Sequence, residues 1–178
     1  MSRPILNKLQ LNNLVNKNID TACIVGVRGY YLNEYGIKGR NDRGVYDDAL
    51  FIFNGFDIIG FNANVDPSKQ GINPKINKGY ANLDAGEYVY KLGIHGLSKD
   101  ASKQYEALIQ AKKVDITRDG GKEESGFFGI NIHKGGVNST SSEGCQTITP
   151  TQWNEFIYTV KSIWNKSDNI TYILVEKC

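Results

Sequence analysis

Apolar positions along this chain come mostly in short runs, separated by glycine, asparagine and proline. Runs at 21–26, 50–53, 56–61, 87–95, 105–111, 114–118, 127–133 and 170–175 have strand length, and several alternate apolar with polar side chains. Asn54-Gly55 lies between two of them and predicts a two-residue hairpin turn, in which both central residues take positive φ. Asp66-Pro67-Ser68 closes that unit, and the turn-rich stretch 119–125 is read as a loop.

Two segments break the strand rhythm. Leu6, Leu9 and Leu14 fall at rough helical spacing behind Ser2 and Pro4, which predicts a short N-terminal helical segment over about residues 5–16. Further on, Trp153, Phe156, Ile157, Val160 and Trp164 occupy one helical face. Thr149 as N-cap, Pro150 in the first turn and Gln152 three residues after the cap supply its start signal. With no internal repeat or composition break, the expectation is one domain over residues 1–178. It should be mainly β, with one or two packed helices.

Composition adds limits. The 19 glycines and 10 tyrosines suit strands and turns. A net charge of +2 gives no footing for nucleic acid or an anionic surface. Met1-Ser2-Arg3-Pro4 leads into polar sequence without an apolar core, and no run is long enough to span a bilayer. The reading is therefore synthesis in the cytoplasm without a signal peptide, no membrane insertion, and a monomer.

The cysteines are Cys23, Cys145 and Cys178, too sparse for a disulfide framework. Cys23 sits in the apolar run Ala22-Cys23-Ile24-Val25 and reads as a buried small hydrophobe. Cys145 differs. It follows Gly144 in the small, polar run Ser139-Thr140-Ser141-Ser142-Glu143-Gly144, which gives a thiol no apolar cover. Twelve residues earlier, His133 ends the run Phe128-Gly129-Ile130-Asn131-Ile132-His133. Strand alternation puts Ile130 and Ile132 on one face, Asn131 and His133 on the other. A loop of that length can return the thiol to the imidazole, which would take its proton and hold the thiolate as an ion pair. Gly144 would aim backbone N–H groups at a developing oxyanion. The competing reading is a structural histidine beside an inert thiol. A zinc site would need Asp119 or Glu143 to join one Cys and two His.

Ile132-His133, a glycine-containing turn and Ser142-x-Gly144-Cys145 together resemble the L,D-transpeptidase catalytic domain (the YkuD type) over about residues 131–147. The resemblance implies an L,D-transpeptidase-like β-sandwich or barrel and a Cys–His site for peptidoglycan stem peptides, with no cofactor or metal. Cys145 would be the acylated nucleophile, His133 its base, and the Gly144 and Cys145 amides the oxyanion donors. Ser142, Gln146, Asn131, Arg118 and His95 are expected to contact substrate, Arg118 by gripping a carboxylate. The chain departs from the pattern in three places: a shorter His-to-Cys interval, Glu143 where a second His is common, and Gln146-Thr147 where an aliphatic residue and a basic or amide residue are usual. The block Gly86-x-Tyr88-x-Tyr90-x-x-Gly93-x-His95 is similar to phage-encoded versions, which fits delivery to the cell wall by a phage or another route. A general cysteine peptidase or amidase, and a non-catalytic wall-binding module, are the alternatives. Tyr46-Asp47-Asp48 reads as solvated turn carboxylates.

Overall fold

The structure, a computed structural model, describes residues 2–177. Its first strands are β1 (Cys23–Arg28), β2 (Asp48–Phe53), β3 (Ile58–Asn64), β4 (Ile72–Asn73), β5 (Lys78–Gly79), β6 (Ala81–Leu83) and β7 (Gly86–His95). There follow β8 (Tyr105–Gln110), β9 (Val114–Arg118), β10 (Glu123–Gly126), β11 (Ile132–Lys134), β12 (Gln146–Ile148) and β13 (Ile170–Glu176). The chain is mainly β, with two helices, α1 (Lys8–Val15) and α2 (Trp153–Ile163).

Eight strands close into a barrel in the order β1-β13-β7-β8-β11-β12-β3-β2, which leaves it no free edge. Two of its pairs, β1 with β13 and β11 with β12, are parallel; the others are antiparallel. A side sheet of β10-β9-β6 and a ribbon of β4-β5 complete the β structure.

The run Asp48–Phe53 is buried along its whole length because both faces are covered. Leu50 and Ile52 point into the main core with Ile24 and Phe61, while Ala49, Phe51 and Phe53 join Leu11 of α1 in a second cluster. Helix α2 buries Trp153, Phe156 and Val160, and sets Phe156 edge-on to Phe61 at 5.2 Å.

Several local expectations are corrected. The first helix starts later than Ser2 and Pro4 suggest: Asn7 caps it in a capping box with Gln10, and Leu9 is exposed. Thr149 is not an N-cap, since its hydroxyl has no partner; α2 begins at Trp153 after a turn, and the Gln152 side chain instead braces Asn62. The turn after β2 is a four-residue Asn54–Asp57 loop. There Asn54 Oδ1 accepts the N–H groups of Phe56 and Asp57, and only Gly55 has positive φ. Residues 123–126, read as loop, pair with β9 as an edge strand. Conversely, the 127–133 run is strand only at its end, because Gly129 at φ +70° interrupts it. Asp47 and Asp48 are fully buried rather than solvated.

Candidate active site

Register brings the site together. In the antiparallel pair β7/β8, His95 lies opposite Tyr105; β8 pairs with β11 through Leu108 and Ile132, so His133 follows on the same side of the sheet. The two imidazoles stack at 4.2 Å between centroids and 22° between planes, with Tyr105 5.5 Å from His95. Parallel pairing of β11 with β12 sets His133 opposite Thr147, and therefore Asn131 opposite Cys145. Accordingly, the Asn131 backbone N–H donates to Cys145 Sγ at 3.4 Å, and the thiol donates to Gly129 O at 3.3 Å.

A cavity of about 410 Å³ opens here, bordered by Cys145, Gly144, His133, His95, Lys75 and Lys99. Cys145 is partly exposed. Gly144 is required: at φ +144° a side chain is strained, and a Cβ would stand 2.7 Å from Ala81 O. Ser142 braces the elbow, donating its hydroxyl to Cys145 O at 2.6 Å and accepting the Gly144 N–H at 3.0 Å. That bond corrects the expected oxyanion pair. The Gly144 amide is committed to Ser142, whereas the Cys145 amide has no acceptor among the described residues.

The expected ion pair is also corrected. No hydrogen bond joins Sγ to either imidazole among the described residues. Burial pushes the Cys145 thiol up to about 11, against the opposing pull of the Asn131 N–H. Burial, with His95 adding to it, lowers His133 to about 4. Burial and then the Lys99 charge hold His95 below its ordinary value. At pH 7 the thiol and both rings are neutral. His133 Nδ1 lies 2.8 Å from Lys134 O, leaving Nε2 as the ring's free nitrogen.

Of the residues expected at the site, Cys145, His133, Gly144 and His95 border the cavity; Ser142, Gln146, Asn131 and Arg118 do not. Gln146 is fully buried, accepting from the Tyr172 hydroxyl at 3.1 Å, because its place in β12 turns it toward the core. Arg118 is spent on Glu124 at 2.8 Å and Gly79 O at 3.0 Å, beneath the Phe128 ring. Asn131 turns its amide to Gln110 and His95. Of the extra carboxylates that a zinc site would need, Glu143 borders the cavity but pairs with Lys75, and Asp119 pairs with Arg43. Tyr105, Lys75 and Lys99 were not singled out by sequence. Only the β7/β8 register could have pointed to Tyr105, and the lysines come from loops with no patterning.

Comparison of the chain with protein-family models, curated proteins and solved structures gives no match.

Proposed function

We propose that this chain is a cysteine acyl-transfer enzyme of the L,D-transpeptidase kind, using peptidoglycan stem peptides as acyl donors. One observation carries the reading: a glycine-dependent elbow sets Cys145, a partly exposed residue, against the same cavity as an imidazole whose Nε2 has no partner among the described residues. His133 Nε2 takes the Sγ proton as the thiolate attacks the carbonyl of an L-centre-to-D-residue bond. The Cys145 amide donates to the oxyanion, a contact worth about 3 kcal/mol in the transition state. Collapse expels the amine, which leaves with the proton from His133, and water or a second amine resolves the thioester. Because both groups rest neutral, charge separates only once a carbonyl occupies the cavity. Delivery to the wall would come from a phage or another route.

Incubation with a carbapenem, followed by intact-mass analysis, tests the reading. Wild type should gain one adduct on Cys145. Cys145→Ala should gain none, and His133→Ala should react roughly 10²–10⁴-fold more slowly. Defined stem tetrapeptides should then yield hydrolysed or transpeptidated products. A folded wild type that forms neither adduct nor product would instead be a wall-binding module.

A further inference from the structure

The two stacked rings differ in which nitrogen carries the proton. Asn131 fixes the first. Its Oδ1 accepts the Gln110 backbone N–H at 3.0 Å, so the amide nitrogen is the atom that faces His95 Nδ1 at 3.4 Å. An amide nitrogen only donates; His95 Nδ1 is therefore a lone pair, and the proton of the neutral ring sits on Nε2. Lys134 fixes the second. A carbonyl oxygen only accepts, so His133 Nδ1, 2.8 Å from it, carries that ring's proton. The Tyr105 hydroxyl donates to the same carbonyl at 3.3 Å and turns its lone pair to His133 Nδ1, also at 3.3 Å.

The elbow has a matching deficit. With the Gly144 amide held by Ser142, one backbone donor is left for an acyl oxyanion at Cys145. We propose that Asn131 locks His95 in the Nε2–H tautomer, opposite to His133, and that this N–H is the second donor to the oxyanion. The assignment rests on the cysteine-enzyme reading above. In the step, the Sγ proton passes to His133 Nε2 and the Sγ–C bond forms. The carbonyl π pair moves onto oxygen, which the Cys145 amide and His95 Nε2–H hold. When the pair returns, the C–N bond breaks and the leaving amine takes the proton from His133. His95 keeps its proton throughout and acts as an electrophilic catalytic residue. Asn131 is a positioning residue.

The chain has only two histidines, so long-range ¹H–¹⁵N spectra of ¹⁵N-histidine-labelled protein contain two imidazoles, assigned with His95→Gln. One Nδ1–H and one Nε2–H ring are expected. In Asn131→Ala the His95 ring should lose its single tautomer while His133 keeps its own. Two rings of the same tautomer overturn the proposal, even if Cys145 is acylated normally. Carbapenem acylation reads the donor role: His95→Ala should slow it by about 10²–10³-fold. In His95→Gln a carboxamide N–H can stand in for the ring donor, and about tenfold of that loss should return. Wild-type rates in His95→Ala overturn the donor role and leave the Cys–His reading intact. A folded wild type that is never acylated overturns both.

Discussion

Two polar clusters lie inside this molecule, and they use their buried groups in opposite ways. At the joined ends of β1, β2 and β3, the Asp48 carboxylate accepts the Gly29 N–H at 2.6 Å and the Val65 N–H at 2.7 Å. Asp47 accepts the Asp42 N–H at 2.8 Å, and the Arg28 guanidinium lies 3.0 Å from Asp66. Nearly every atom has a backbone or ionic partner, with Asp47 Oδ1 an exception. At the cavity, Cys145 Sγ accepts the Asn131 N–H and donates to Gly129 O. Each imidazole is held through Nδ1, by Asn131 Nδ2 at His95 and by Lys134 O at His133, and all three residues border open volume. Burial shifts proton affinities in both places. What separates scaffold from candidate chemistry is the open cavity that the groups border, not the size of the shift.

The largest effect should come from breaking the scaffold cluster. Arg28→Met leaves buried carboxylates without their cation and should cost about 3–5 kcal/mol in denaturant unfolding, with Cys145 labelling per folded molecule unchanged. Gly144→Ala should do the reverse. Strain at φ +144° and the crowding of Ala81 O should cost about 1–3 kcal/mol, and carbapenem labelling should be lost.

The finest contrast is in pH. Asp47, raised by burial to about 6 from an ordinary 3.8, contributes stability below pH 3.8 that is lost as pH rises through about 6. His133, lowered from 6.5 to about 4, contributes stability above pH 6.5 that is lost as pH falls through about 4. The two slopes oppose each other over the same window, so they partly offset in the wild type. Urea midpoints measured from pH 4 to 6.5 should rise more steeply with pH in Asp47→Asn than in wild type, and less steeply in His133→Gln. Parallel curves for all three proteins would remove the distinction.

Strand content, the apolar face of α2 and the Cys145–Gly144–His133 grouping were legible in the sequence because each is a local pattern. Period-two alternation marked Ile130 and Ile132 as core, and both are buried. Contributions that depend on register or on a partner far along the chain were not legible. Gln146 looked like a site residue beside the thiol, yet its strand turns it to Tyr172, 26 positions away. Arg118 looked like a grip for a substrate carboxylate, yet it pairs with Glu124 of β10, in a segment whose turn-rich composition reads as a loop. The buried Asp47 and Asp48 lie in a turn-like sequence and owe their burial to Arg28 and to backbone donors contributed from separate strand ends.

The parallel seam between β11 and β12 has a consequence for the spacing of histidine and cysteine. A ladder of backbone bonds, rather than the length of the intervening excursion, fixes where the sulphur stands relative to the ring. With Ser142 and Gly144 kept as the elbow, segment 137–141 can therefore shorten, lengthen or change composition while the reactive geometry stays put. That tolerance makes the excursion a natural place for selectivity to drift, and a poor guide to kinship when intervals are simply counted.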